Sequence, residues 1–344
     1  MNRISLKEGI SLLKNEDFIS LGKKANEIRK SLHPDGVVTF IADTNINYTN
    51  ICNSKCLFCA FYREEGDEDA YTMEIEEIVK KIKEARERGI TTALIQGGLN
   101  EKLPYNYYLE MMEKISNLGV HIHIFSPPEI DLLSRISGKN VEEVFDDLIK
   151  RGMKSMPGGG AEILSDKVRK KISPKKINSD RWLEIMEIAH KKGLKTSATM
   201  MFGHIEEIED IVEHLEAIRK LQDKTHGFTA FIMWDFKEKN NKLGEKIGKR
   251  SSPYNYLRLL SFARIYLDNF ENIQASWASQ GMEIGELALF FGANDFGSLL
   301  FEENVMKEAG FRITSTIENI ARTIRKNGFK PALRDTFYNI IKYL

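Results

Sequence analysis

Cys52, Cys56 and Cys59 are the only cysteines among 344 residues, and all three lie in "NICNSKCLFCAFYR", which begins at Asn50. They make a poor disulfide framework, because three is odd and neighbours this close cannot staple a chain of this size. Three thiolates converging on one soft metal centre is the chemistry this spacing allows. A structural zinc ion wants four closed ligands. There is no second cysteine pair, and the nearest histidines are His33 and His121, so zinc would need a ligand imported from far away. A cubane iron–sulfur cluster takes four thiolates when fully ligated, and three leave one iron open to something that is not protein. With no thiol left over, a second cysteine-bound cluster is excluded.

Other residues able to do chemistry stand just after short apolar runs. "QGG" (96–98) could be a tight turn, since glycine tolerates positive φ, or a place where backbone approaches a ligand. "SPPE" occupies 126–129. "PGGGAE" (157–162) puts Glu162 where a helix should begin, so its carboxylate could simply cap that helix, although three glycines exceed what a cap requires. Phe58 could pack beside a ligand or in the core. His121 and His123 alternate along one strand and face the same side, toward either the barrel interior or the helices. His190 and His214 fall in helical patterns and read as surface or packing residues. His204 in "FGH" and the pair Asn294 and Asp295 are expected to reach a pocket. Trp234, Trp277 and Gln280 also stand at or beyond strand ends, where packing explains the tryptophans nearly as well as substrate contact.

The elements that must position these residues alternate. Strands are expected at 37–42 running on to 48, 91–96, 120–125, 154–156, 195–201, 228–234, 273–277 and 292–296. Between them lie patterns such as "EIEEIVKKIKEARERG", with apolar residues at three- and four-residue steps. Helices are expected to stop at Gly89, Gly152 and Gly193. About eight strand–helix units close naturally into a (β/α)8 barrel, whose strand-to-helix loops share the face where active sites are built. Residues 1–35 are expected as an N-terminal helical cap on the barrel bottom. Residues 36–344 are expected as the barrel with C-terminal helices, in one structural unit.

Composition narrows the class. Lys+Arg and Asp+Glu both number 50, and the chain is 42% hydrophobic and 29% charged, as in a soluble globular protein. No basic excess recommends a nucleic-acid partner. No signal-peptide core opens the sequence and no run of about eighteen apolar residues occurs, so a cytoplasmic location without membrane insertion is expected.

CxxxCxxC with an aromatic before its last cysteine, after the first strand of a barrel, resembles the radical S-adenosylmethionine (SAM) superfamily. "FSPPEI", "SMPGGGAEILSDKVRKKISPKK", "TSATMMFGHIE", "TAFIMWDF", "QASWASQG" and "FGANDFGS" extend the resemblance over roughly residues 35–335, to the menaquinone and deazaflavin-cofactor branch. Met233 and residues 237–243 depart from that branch's pattern. The resemblance implies one [4Fe–4S] cluster on Cys52, Cys56 and Cys59, with SAM chelated at the open iron. It assigns Phe58, Gln96, Gly97, Gly98, Ser126, Glu162 and Arg169 to SAM binding. Within the branch it points to cyclisation of a small-molecule substrate, dehypoxanthine futalosine, on the futalosine route to menaquinone. Hydrogen would be abstracted at C4', the carbon radical would add to the benzoate ring, and loss of an electron and a proton would restore aromaticity. His204 and Asp295 are the expected catalytic residues, one as base and one as partner of the substrate carboxylate. A reducing partner such as flavodoxin or ferredoxin is implied. A sibling reaction of the branch and a non-catalytic zinc scaffold are the alternatives.

Overall fold

The computed structural model describes residues 3–248, 251–299, 301, 304–310 and 315–344. Two helices, Leu6–Asn15 and Phe18–Leu32, come first. Ser5 starts the first with a capping box, its hydroxyl accepting from the Glu8 N–H while the Glu8 carboxylate accepts from the Ser5 N–H. Both helices lie against later ones. A Cβ on Gly9 would stand 2.5 Å from the Tyr266 ring, and one on Gly22 would stand 2.7 Å from the Phe291 ring.

The strands are β1 (Val37–Ile41), β2 (Asp43–Asn47), β3 (Thr92–Gln96), β4 (His121–Ile124), β5 (Ser155–Met156), β6 (Lys195–Phe202), β7 (Phe228–Asp235), β8 (Asn272–Gln274), β9 (Asp295–Ser298), β10 (Lys330–Arg334) and β11 (Ile340–Tyr343). Their order is β11-β10-β1-β9-β8-β7-β6-β5-β4-β3-β2, and every neighbouring pair but β10–β11 is parallel. β1 and β2 are one run interrupted at Ala42. Its first half pairs with β9 and its second with β3, so the sheet curls back on itself in the (β/α)8 order. β1 and β2 are buried throughout, as parallel strands between a barrel interior and outer helices must be. In β4 only Ile122 and Ile124 join the apolar layer under the helices, which turns His121 and His123 inward. The helix Ile75–Glu87 stops before Gly89 at φ +84°, and the helix Ser179–Lys191 before Gly193 at φ +83°, as expected.

Three features differ from the sequence reading. β8 ends at Gln274, and Trp277 opens a one-turn helix, Trp277–Gln280. β9 begins at Asp295, so Asn294 and Asp295 stand at the entry of that strand instead of its exit. The chain also adds β10 and β11, and the turn between them brings Thr336 and Tyr338 to the barrel interior, where the Thr336 hydroxyl lies 3.1 Å from that of Thr92.

Candidate active site

The cysteine loop, residues 48–74, joins β2 to the helix Ile75–Glu87 and is folded by its own backbone. Cys52 N donates to Arg63 O (3.1 Å) and Arg63 N to Asn50 O (2.8 Å). Asn53 N reaches Leu99 O (2.9 Å) and Leu57 N reaches Ile172 O (2.8 Å). The Arg63 guanidinium gathers the carbonyls of Ala60, Phe61 and Tyr62 at 3.0–3.3 Å. The need for "QGG" is steric. A Cβ on Gly98 would run into the Ile51 carbonyl oxygen and stand 3.0 Å from Cys52 Cβ, and one on Gly97 would stand 2.5 Å from the Tyr48 ring.

Cys56 is buried, and Cys52 and Cys59 are half-buried. Burial pushes the Cys56 thiol up to about 12 and raises that of Cys59, so neither is a thiolate in the bare chain. Coordination is the ordinary way to deprotonate such thiols. All three line a cavity of about 190 Å³ with Asn47, Gln96, Gly97, Gly98, Ser126, Glu129 and Lys176. Among the described residues, no three of His, Cys, Asp and Glu are grouped to hold a single ion. A cubane binds each thiolate at a different iron and so needs its sulfurs farther apart than one ion does. Asn47 Oδ1 is buried without a hydrogen-bond partner in the same wall. A soft all-thiol donor set with an unmatched polar neighbour fits an iron–sulfur cluster carrying an organic ligand.

Glu162 is not a helix cap. The helix Asp166–Ile172 starts later, with Ser165 at its N-cap, and Glu162 lies in the preceding loop at φ +42°. A left-handed backbone on a non-glycine residue carries strain of about 1–3 kcal/mol, which concentrates at functional sites. Its Oε1 accepts from Lys176 Nζ at 2.8 Å, while its buried Oε2 has no hydrogen-bond partner and lies 3.7 Å from Arg169 Nη1. Arg169 itself faces neither cavity. It holds the glycine loop by donating to the carbonyls of Gly160 (3.2 Å), Ile177 (2.6 Å), Ile163 (3.4 Å) and Ala161.

Lys176 escaped the sequence reading, and Glu129 was given no role of its own in it. Burial works against the Lys176 ammonium, but Cys56 when it is a thiolate, together with the Glu162 carboxylate, outweighs it and holds its pKa above the ordinary lysine value. Its Nζ stands 5.6 Å over the Phe58 ring. Nothing in "SPKK" separates Lys176 from Lys175. Glu129, by contrast, belongs to the "SPPE" already singled out. Its carboxylate accepts from Tyr48 Oη (2.8 Å), Gly97 N (3.0 Å) and Ser126 Oγ (2.6 Å), and burial pushes its pKa up to about 7.

The cavity opens into a chamber of about 480 Å³, the two sharing Phe58, Cys59, Gln96 and Gly160. Glu162, Trp234, Trp277 and His123 face this chamber, and Arg334, Thr336 and Tyr338 reach its floor. The structure does not bring His204 or Asp295 to either cavity. His204 is fully buried and folded back under its strand, with Nδ1 3.0 Å from Glu206 and Nε2 3.2 Å from Met201 O. Asp295 is fully buried and taken up by Arg334 (2.6 and 3.0 Å) and Thr39 (2.6 Å). Asn294 ties β8 to β9 through Asn272 and Ile273, so packing accounts for both members of that pair. Gln280 lies outside the chamber wall as well. Met233, one of the departures from the branch pattern, is buried within β7. His190 and His214 are buried packing residues, His190 between two threonine hydroxyls and His214 accepting from Leu164 N at 2.9 Å.

Residues 46–218 match the radical SAM superfamily model, and residues 225–343 match the CofH/MqnC C-terminal region. The cyclic dehypoxanthine futalosine synthase of Halalkalibacterium halodurans is 39% identical over 342 residues, covering 99% of this chain and 92% of that protein. The 5-amino-6-(D-ribitylamino)uracil–L-tyrosine 4-hydroxyphenyl transferase of Archaeoglobus fulgidus is 40% identical over 322 residues, covering 92% of each. Methylornithine synthase, at 16% identity, shares the fold with a TM-score of 0.75 over 96% of this chain and 94% of that one.

Proposed function

The chain belongs to the radical SAM superfamily, which works with a [4Fe–4S] cluster and SAM, and we propose that it cyclises dehypoxanthine futalosine on a route to menaquinone. The observation that carries this reading is the chamber wall. Of its charged groups, Arg334 is matched with Asp295, Lys237 with Asp235 and Glu162 with Lys176, while Asp43 accepts from the Ser298 hydroxyl and lies close enough to Arg334 to favour its charge. Among the described residues, no pair of opposite charges is held open for the ammonium and carboxylate of an amino acid. What remains is apolar surface with neutral hydroxyls and amides from Ser197, Thr199, Thr229, Gln96 and Gln274. Such a wall suits a polyhydroxylated chain joined to an aromatic ring.

When bound, the cluster and SAM supply a primary carbon radical for hydrogen abstraction. The chain's own work is to hold and to shield. Cys52, Cys56 and Cys59 hold the cluster. Glu162, Phe58, Gln96, Gly97, Gly98 and Ser126 hold SAM, with Lys176 and Glu129 fixing that shell. The chamber walls set which substrate hydrogen lies within reach and exclude water, which matters because such a radical attacks almost any C–H bond. A small electron carrier of the flavodoxin or ferredoxin kind supplies the reducing electron.

The tyrosine 4-hydroxyphenyl transferase reaction is the second reading, favoured by the equal identity of those relatives. Anaerobically reconstituted protein, incubated with SAM, reductant and each substrate set, separates the two by product mass. Spiro product from dehypoxanthine futalosine is expected. An adduct formed only from tyrosine and the ribitylaminouracil would overturn the reading.

A further inference from the structure

His121 and His123 point into the barrel from β4, and the Ser155 hydroxyl stands between them on the neighbouring strand. Ser155 Oγ is 2.7 Å from His123 Nδ1 and 2.6 Å from His121 Nε2, and the serine is completely buried. A hydroxyl has one hydrogen, so it donates to one imidazole and accepts from the other. Each ring thus commits one nitrogen to the same oxygen, and the other nitrogen has no protein partner among the described residues. For His123 that nitrogen belongs to a side chain lining the chamber. His121 is half-buried as the first residue of β4, at the end of the barrel away from the cysteine loop, 4.9 Å from the surface ring of Phe337.

We propose that His123, Ser155 and His121 are a proton path out of the chamber, with His123 as the acceptor of the proton that the substrate ring loses. This rests on the cyclisation reading. Addition of the C4' radical leaves a hydrogen on the newly bonded ring carbon. That C–H bond breaks, its proton passes to His123 Nε2, and its electron pair stays in the ring as a radical anion. The surplus electron leaves to a one-electron acceptor of the iron–sulfur or flavin class. His123 Nδ1–H then donates its proton to Ser155 Oγ, Ser155 donates to His121 Nε2, and His121 Nδ1–H releases a proton to solvent. Both rings and the hydroxyl end in the opposite orientation and reset between turnovers.

Electrostatics favour passing the proton on over keeping it. Burial lowers His123 to about 3 and His121 to about 4, with Arg334 adding to the first and Lys154 to the second against a small opposing effect of Asp335. Both rings are therefore neutral acceptors at neutral pH, and a lasting imidazolium is disfavoured at either. A relay moves the proton without storing charge in the barrel.

The test uses reconstituted full-length enzyme and substrate deuterated on the benzoate ring, with spiro product and 5'-deoxyadenosine quantified together. In Ser155→Ala, product per deoxyadenosine is expected to fall about 100-fold or more, the usual scale for lost proton transfer. A primary isotope effect on that ratio, absent in the wild type, should emerge. A merely structural serine would lower stability without unmasking an isotope effect on that bond. His121→Phe, which breaks the path at its exposed end, repeats the measurement should the alanine variant not fold. Wild-type ratios and no isotope effect in the folded variants would overturn the relay while leaving cyclisation standing. If the wild type itself makes no spiro product, the cyclisation reading fails and the relay falls with it.

Discussion

Lys176 Nζ sits 2.8 Å from Glu162 Oε1, inside the wall that also carries Cys56. An ion pair this deeply placed is costly to break from one side, because the surviving charge is left without its partner. Lys176→Met should lower the unfolding free energy of the metal-free protein by about 3–5 kcal/mol in urea titrations. Glu162→Gln should weaken SAM binding to the reconstituted protein while leaving its cluster absorbance unchanged. Full SAM affinity in Glu162→Gln would reduce the glutamate to a structural partner of Lys176.

Iron analysis after anaerobic reconstitution should give about four irons per chain, since three thiols anchor one cubane and no cysteine remains for another. Any one of Cys52→Ala, Cys56→Ala or Cys59→Ala should abolish SAM cleavage. About eight irons, or a full complement in Cys56→Ala, would contradict the single-cluster arrangement.

Gly98→Ala tests the close packing of two loops. The added methyl meets backbone at Ile51 and the Cys52 side chain, neither of which can swing away. Cluster content and SAM cleavage should drop severalfold while circular dichroism stays that of the wild type. An alanine variant that reconstitutes normally would show the cysteine loop to be free to shift.

Glu129 makes stability depend on pH in an unusual direction for a carboxylate. Its pKa rises from 4.5 to about 7 on folding, chiefly through burial, so the native state holds an extra proton between those values. The stabilisation is complete below pH 4.5 and is lost as pH rises through about 7, up to about 3 kcal/mol in all. Urea midpoints measured from pH 5 to 8 should fall for the wild type, and that component should vanish in Glu129→Gln.

Asp295→Asn should act on stability, with a loss of about 3–5 kcal/mol, because the buried Arg334 charge loses the carboxylate it is hydrogen-bonded to. The ratio of product to deoxyadenosine in the surviving folded enzyme should match the wild type. A selective fall in that ratio would return Asp295 to the chemistry.

The cysteine site was legible because its ligands are local: three thiols within eight residues carry their meaning in spacing alone. The barrel was legible because buried parallel strands are continuous apolar runs separated by amphipathic helices. Asp295 was misread because β9 is short and begins where it was expected to end, a slip of a few residues that exchanges the two ends of a barrel. Period-two alternation placed His121 and His123 on one face but could not say which face, and the choice needed the helices on the other side. β11 exposes every residue and β10 carries Pro331, so neither has the pattern of a buried strand. Lys176 acquires its meaning only from Cys56, Glu162 and Phe58, which are remote in sequence and meet in space.

β1 takes one neighbour from β9 and another from β10, with Val37 opposite Lys330. Joining those two residues encloses nearly the whole chain in a single loop, and the entropy of that closure must be met before either ladder contributes. The chamber floor around Thr336 is therefore expected to form late in refolding. A stopped-flow experiment should find a long-lived intermediate with helical content but an open, dye-accessible barrel, and a cluster delivered at that stage would enter from below as readily as from the mouth.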